Sequence, residues 1–354
     1  MPRPFSLPTP LRDPARLIIG AFVVGLAVAA ILLHLPLSGL LGDTLVRFGM
    51  NVVLVLSLVP MLRTGLGLNY GLPVGILAGL LGMAVCVQFN LKGAGGLMAA
   101  VALAAMIAVP VGWTYARVLL NVKGSEEVVG TFLGFSAVYL MAVFWSTAPF
   151  TNPKMLWPIG GQGLRPQVNL DLFFGGALDS ILRFSVGGCR VPTGLLLFVL
   201  ALCLTVWAYG RTRDGTAMRL VGANERAAIA TGIDTRQLQA RSVIQSTVLG
   251  AVGIVIYAQT YGFLQLYDAP LMMAFPAAAA ILMGGFQGGR VTIAHVMAGA
   301  FVFNAILVFS TPVANELLVP ELAEILRTIV TNGVILYALL AGTSPRKRAR
   351  SRGG

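Results

Sequence analysis

The sequence predicts an all-α polytopic membrane protein of about ten transmembrane helices. Three observations carry that expectation. The 354 residues are 57% hydrophobic and only 11% charged, where soluble domains run near a quarter charged. The mean hydropathy is +0.84. Apolar runs of about twenty residues, long enough to cross a bilayer, recur along almost the whole chain.

The formal net charge of +12 raises nucleic acid as a partner. The basic residues, however, concentrate in the N-terminal arm, the 211–241 segment and the tail. That distribution fits cytoplasmic loops of a membrane protein, so membrane lipid is the expected surrounding and no nucleic acid is.

Residues 1–16 hold five prolines and three arginines and read as an extended cytoplasmic arm. The transmembrane domain is expected over 17–343. Its first apolar run, 17–35, contains AVAA at 27–30, a faint cleavage-site pattern. The apolar character continues straight through it, which suits a retained anchor. Further spans are expected near 44–62, 66–90, 96–116 and 127–147. A polar-aromatic periplasmic insert at 148–190 follows, then spans near 191–210, 242–262, 270–286, 291–310 and 324–342, and a basic tail at 344–354. Charge supports the order. With the N-terminus inside, Arg63, Arg117, Lys123, the arginines of 211–241, Arg290 and the tail are all cytoplasmic, and Asp43, Asp268, Glu316 and Glu321 are outside. Both termini are then cytoplasmic. Lys154, Arg165, Arg183 and Arg190 fall outside, in a long loop, where the charge rule is weak.

Two spans are interrupted. RTGLGLNYGLPVG at 63–75 and DAPLMMAFPAAAAILMGGFQGG at 268–289 place glycine and proline inside apolar runs. They occupy corresponding places when spans two to five are compared with seven to ten, and the two sets start on opposite sides. Broken helices at matching places in inverted repeats point to a transport pathway. The plainer reading is that glycine and proline simply tighten helix packing.

Catalytic chemistry is not indicated. His34 and His295 read as interfacial residues, and Cys86, Cys189 and Cys203 have no metal-binding spacing. GGQGLR at 160–165 and GGFQGGR at 284–290 lack the Lys-Ser/Thr of a phosphate-binding loop. The chain is therefore expected to be no enzyme, to bind no cofactor or metal, and to carry no ATPase of its own. Ionisable residues such as Arg47, Glu126 and Glu127 sit at span ends. Span interiors offer neutral polar groups, among them Asn51, Thr131 and Asn304, which argues against ion coupling. Candidate path residues are Asn51, Asn69, Tyr70, Gly71, Thr131 and Asn304. At Gly71 an added side chain is expected to fill space left in the path.

The segment RLVGANERAAIATGID at 219–234 carries its own start and stop signals. Asn224 suits an N-cap, Glu225 complements the helix dipole, and Gly232 suits a left-handed C-terminal residue. A helix of two turns is unstable alone and has to pack on something. Either it rests on its own protein, or its small face, with Ala227 and Ala228, fits a groove on a partner. In the second case Ala228→Trp leaves the fold intact and loses the partner.

GANERAAIATGI resembles the Gly-x-Asn-x-x-Ala-Ala-x-x-x-Gly-Ile loop in permease subunits of ATP-binding-cassette importers, in the branch for branched-chain amino acids, simple sugars and nucleosides. The resemblance implies a type II importer-like fold in which Gly222, Asn224, Glu225, Ala227, Ala228, Gly232 and Ile233 form the coupling helix that docks on an ATPase subunit. It also implies a second permease subunit, like or unlike this chain, and a periplasmic or lipid-anchored solute-binding protein. ATP and magnesium would be used by the partner ATPases, in a bacterial inner membrane. Asn69-Tyr70-Gly71 resembles the family's Asn-x-Gly turn. EEVVGTF at 126–132 resembles the Asn-Glu-Val-x-x-Thr-Leu segment of the nucleoside branch, departing at Glu126 and Phe132. WPIGG at 157–161, in the long insert, also looks more like that branch. The implied cargo is a nucleoside or simple sugar. A branched-chain amino acid importer and an ion- or proton-coupled carrier are the alternatives. Glu126 and Glu127 also read simply as first-turn acids that suit a helix dipole.

Overall fold

The computed structural model describes residues 14–122, 124–157, 163–179, 184–186, 189–286 and 291–317, with isolated positions between 325 and 336. In chain order the helices are α1 (Pro14–Leu32), α2 (Leu37–Leu56), α3 (Val59–Arg63), α4 (Leu72–Gln88), α5 (Gly93–Leu119) and α6 (Glu126–Thr147). After the insert come α7 (Thr193–Tyr209), α8 (Arg213–Ala223), α9 (Glu225–Ala230), α10 (Thr235–Tyr261), α11 (Ala269–Met272), α12 (Ala274–Met283) and α13 (Ile293–Leu317).

Five of these, α2, α5, α6, α10 and α13, are long and apolar enough to cross a membrane. The pair α7–α8, bent by 75°, adds a sixth if taken as one span. Shorter apolar helices occupy Ile18–Leu32, Leu72–Gln88 and Ala269–Met283. The expected spans from the first to the ninth each fall on one of these helices. The expected tenth, near 324–342, lies almost wholly outside the described residues.

The bundle is organised around α10. The apolar windows of α10 and α2 are 67% and 61% buried, against 28% and 22% for α5 and α6, so the first pair is central and the second peripheral. Small residues allow close approach, as in other membrane helix pairs. A Cβ on Gly75 would lie 2.6 Å from the Thr247 carbonyl, and one on Gly82 would lie 2.7 Å from the Ala104 nitrogen. Through these glycines α4 lies directly on α10 and α5.

The helical architecture agrees with the expected fold class, and among the described residues the insert adds short strands. Four three-residue strands occur there and beside it: β1 (Gln167–Asn169), β2 (Phe184–Val186), β3 (Cys189–Val191) and β4 (Phe263–Gln265). β1 pairs antiparallel with β4 through Val168↔Leu264, and β2 with β3 through Ser185↔Arg190. The insert is held to the bundle at the C-terminal end of α10. There buried Gln259 accepts from Leu178 N with its side chain at 3.2 Å and from Gly176 N with its backbone carbonyl at 2.7 Å. Apolar Met155, Leu164, Phe173 and Phe174 close over that end as part of the main core.

Candidate coupling surface and transport cleft

The 211–241 segment folds as three successive capped helices. Thr212 caps α8 by accepting from Gly215 N at 3.2 Å. Asn224, with extended backbone, caps α9 by accepting from Ala227 N at 3.1 Å. Gly232 takes the left-handed conformation at φ +80, and Ile233 N turns back to the Ala228 carbonyl at 3.1 Å, closing the helix. Asp234 then caps α10 by accepting from Gln237 N at 3.0 Å. An ion pair of 2.6 Å between Asp214 and Arg241 ties α8 to α10.

The exposed face of α9 differs from the expected one. Ala228 is fully buried, packed with Met218, Val221 and Leu238 in a small core of its own. Ala227 is half-buried, while Glu225, Arg226, Ile229 and Ala230 are exposed. The alanines therefore seat the helix on its own protein, and Ile229, 57% exposed, leads the outward face. Ala228→Trp is accordingly a substitution against the chain's own core.

Gly222 sits at the junction between this loop and the first broken span. A Cβ there would overlap the Arg63 carbonyl and approach Gly65 N at 3.2 Å. The Arg63 guanidinium reaches back to the Val206 carbonyl at 3.3 Å, and a Cβ on Gly210 would lie 2.7 Å from it. The ends of α3, α7 and α8 thus meet at one point.

From that point residues 64–71 run without helix, as the glycine and proline pattern predicts. Gly65 and Gly67 have φ of +77 and +94, which only glycine adopts freely. Irregular backbone inside a membrane bundle needs its polar groups answered by protein, and several polar groups of this stretch, main-chain and side-chain, are. Leu68 N donates to the Glu127 carboxylate at 2.9 Å. The Asn69 amide donates to Ser246 at 2.8 Å and accepts from the Tyr115 hydroxyl at 2.9 Å. Thr64 and Ser242 hydroxyls are 2.9 Å apart. Glu127 is therefore more than a first-turn acid: it holds the broken segment from α6.

Asn69 is buried at 2% exposure, with its amide taken up by Ser246 and Tyr115. A Cβ on Gly71 would overlap the Tyr115 hydroxyl and lie 3.0 Å from the Gly130 carbonyl, so that space is filled by protein and is not an open path. Thr131, half-buried on α6, donates to the Glu127 carbonyl at 2.8 Å. Tyr70 faces the second broken span, its ring 5.6 Å from that of Phe275 on α12. The two interruptions thus touch.

The open space lies elsewhere. A cleft of about 650 Å³ is bounded by α2, α10, α11, α12 and α13. Asp43, Arg47 and Asn51 line it from one face of α2 at four-residue spacing. Opposite stand Tyr257 and Tyr261, stacked with centroids 5.7 Å apart. Deeper in, Asn51 donates to Asn304 Oδ1 at 2.9 Å, and Asn304, 1% exposed, donates to the Ala300 carbonyl at 2.7 Å. Of the expected path residues, Asn51 and Asn304 meet here, and Asn69, Tyr70, Gly71 and Thr131 do not line it. Asp43, Arg47, Tyr257 and Tyr261 were not among them. The signal was present as four-residue spacing, but a span taken to begin at 44 makes Arg47 an end residue. With α2 starting at Leu37, Asp43 and Arg47 fall in the helix body. The cleft opens by the C-terminal end of α10 and the coupling loop abuts its N-terminal end. They are separated by 27 residues, about 40 Å of helix.

Comparison with known proteins agrees with this architecture. A family model described as branched-chain amino acid transport system / permease component matches residues 14–339. The chain is also 24% identical over 290 residues to the galactofuranose transporter permease protein YtfT of Escherichia coli (strain K12), covering 80% of this chain and 82% of that one. Since the family match spans nearly all of the bundle, the chain belongs to the branched-chain amino acid transport system / permease component family and is a multi-pass membrane transport subunit.

Proposed function

We propose that the chain is the permease subunit of an ATP-driven importer in a bacterial inner membrane, moving a small hydroxylated solute into the cytoplasm. A simple sugar is the first choice and a nucleoside the second. The single observation behind this reading is the placement of a polar cleft and an exposed docking helix at opposite ends of α10. Hydroxyl groups suit the amides of Asn51 and Asn304, and a ring face suits the stacked tyrosines. The relative named for galactofuranose favours a sugar. Partner ATPases would bind ATP and magnesium below α9, a second permease would complete the path, and a solute-binding protein would deliver cargo at the insert. ATP-driven movement of α9 would pass through Gly222 and Arg63 to residues 64–71, and through Tyr70 to α12.

The test is uptake into vesicles holding the permease with its ATPase and binding protein, supplied with labelled monosaccharides, nucleosides or leucine. ATP-dependent monosaccharide uptake is expected. Gradient-driven uptake by this chain alone would instead establish a coupled carrier, and leucine uptake would establish an amino acid importer. Orientation is checked by cysteine labelling in intact cells. In a background with Cys86, Cys189 and Cys203 replaced by serine, Leu172→Cys in the insert reacts with an impermeant reagent, and Thr231→Cys in the coupling loop reacts only after lysis.

A further inference from the structure

A second cavity, of about 350 Å³, lies at the coupling end of the bundle between the C-terminal end of α5 and the start of α10. Its walls include Trp113, Arg117 and Leu120 on one side and Asp234, Arg236 and Gln237 on the other. Nothing in the transport reading uses it. Its charge balance is positive. The Asp234 carboxylate is occupied in capping α10, accepting from Gln237 N at 3.0 Å. The Arg236 guanidinium spends one nitrogen on Asn121 Oδ1, at 2.7 Å, leaving its other donors available. The Arg117 guanidinium carbon lies over the Trp113 ring, 3.5 Å from its centroid, and the side chain lines the cavity.

Two further observations say what kind of anion this cavity receives. The face of α5 that leads to it is apolar and outward. Met98, Met106, Val109 and Trp113 are 55%, 67%, 49% and 47% exposed on a helix whose span is mostly unburied. A second tryptophan–arginine pair, Trp207 with Arg211 at 3.8 Å, ends α7 immediately before the same coupling segment. Tryptophan followed one turn later by arginine marks the level where hydrocarbon gives way to headgroups. The cavity is therefore at headgroup depth, continuous with an acyl-chain surface.

We propose that this cavity binds the phosphate of an anionic phospholipid, with Arg117 and Arg236 as its two guanidinium ligands and a chain along Met106 and Val109 of α5. Guanidinium groups match a phosphodiester by paired charge-assisted hydrogen bonds. The bound lipid joins the end of α5 to the start of α10, beside the coupling helix. It thereby stiffens the segment on which that helix rests. A soluble phosphate ester shares the headgroup chemistry but has nothing to place on the apolar stripe.

The full-length chain, purified in neutral detergent, is titrated with phosphatidylglycerol, phosphatidylcholine or glycerol 3-phosphate while its unfolding temperature is followed. Phosphatidylglycerol alone is expected to raise it saturably. Arg117→Gln and Arg236→Gln each raise the half-saturating lipid fraction about fivefold, as expected for one basic group at a membrane surface. Arg117→Lys retains most of the effect. Asn121→Ala, which removes a bond and keeps the charge, leaves the midpoint in place. Because the shift on adding lipid is compared within each variant, a lower starting stability does not affect the reading. Equal shifts with phosphatidylcholine, or wild-type midpoints in both glutamine variants, overturn the proposal. Saturation by glycerol 3-phosphate would make it a free phosphate-ester site instead. Loss of the ATPase on copurification with an unchanged lipid midpoint would assign the arginines to a protein interface.

Discussion

Around Gly222 the chain packs backbone against backbone, whereas around Asn51 it leaves about 650 Å³ open. Both regions are polar and both touch α10, yet they treat polar groups in opposite ways. At the junction most groups have a fixed protein partner: Leu68 N with Glu127, Asn69 with Ser246 and Tyr115, and one Arg63 nitrogen with the Val206 carbonyl, while the buried Arg63 Nε has none. In the cleft Asp43, Arg47 and Tyr261 face space. A region without slack passes displacement on, because nothing in it yields. A region with unfilled volume accommodates a passing solute. The contrast assigns transmission to the first and cargo contact to the second, and substitutions in the two should fail differently.

The largest effect is expected at Gly222→Val. The new side chain meets the Arg63 carbonyl and the Gly65 backbone, neither of which can rotate away as a side chain would. Overpacking of this kind costs about 1–3 kcal/mol or more. Uptake should vanish and the unfolding temperature should fall. Gly71→Leu belongs to the same class: it meets Tyr115 and the Gly130 carbonyl, so it should destabilise the bundle, where a plug in an open path would leave stability unchanged. Gly232→Ala is the counterpart. Nothing lies within 4 Å of a Cβ there, so the cost is left-handed strain of roughly 1–2 kcal/mol with uptake retained. Wild-type stability and uptake in Gly222→Val would remove the junction from the transmission route.

Next comes the pair of neighbours on α9. Ala228→Trp drives a large ring into the space shared by Met218, Val221 and Leu238, so the loop should lose its fold and become protease-sensitive. Ile229→Asp changes an outward residue, and surface changes of this kind stay within about 0.5 kcal/mol. Its unfolding temperature should hold while copurification of the ATPase fails. If Ile229→Asp keeps the ATPase and imports normally, α9 is only a helix resting on its own protein.

How much of this was legible in the sequence follows the range of the physics involved. The caps of α9, Asn224 and Gly232, act within three or four residues, and both stand where the pattern puts them. The irregular stretch at 64–71 was legible because glycine and proline change local backbone energetics whatever their surroundings. Which face of α9 points outward was not legible, since alanine suits a partner's groove and a home groove equally. The partners of Gly222 and Glu127 lie far away in sequence, at Arg63 and Leu68, and no local signal names them. Strand β1 was missed for the same reason, since it pairs with β4 on the far side of α7 to α10, whereas β2 and β3 pair locally but are only three residues each. The cleft was half legible. Asn51 and Asn304 stood out as neutral polar groups in apolar runs, and Asp43 and Arg47 were set aside because the start of α2 was placed too late.

A partial effect on uptake, and the one that sharpens the contrast most, is expected of Asn304→Leu. Asn304 is as buried as Asn69 and likewise bonds on both sides, to Asn51 and to the Ala300 carbonyl. By burial alone the two would behave alike. Asn304, however, borders the cleft, where the released Asn51 amide still has the Arg47 carbonyl at 2.9 Å and open space beside it. Leucine matches asparagine in branching and its bulkier methyl groups have the cleft to expand into, so the main loss is that of an ordinary hydrogen bond, about 1 kcal/mol. The same change removes a polar group from the cargo's surroundings. Uptake at limiting solute should fall roughly tenfold, as for a lost hydrogen bond at the upper end of the usual range. Asn69→Leu provides the reference, since it leaves Ser246 and Tyr115 unpartnered in a dry site and should cost stability first. Should Asn304→Leu lose stability like Asn69→Leu while the uptake of folded protein stays normal, the Asn51–Asn304 pair is a strut between α2 and α13, and the cargo passes elsewhere.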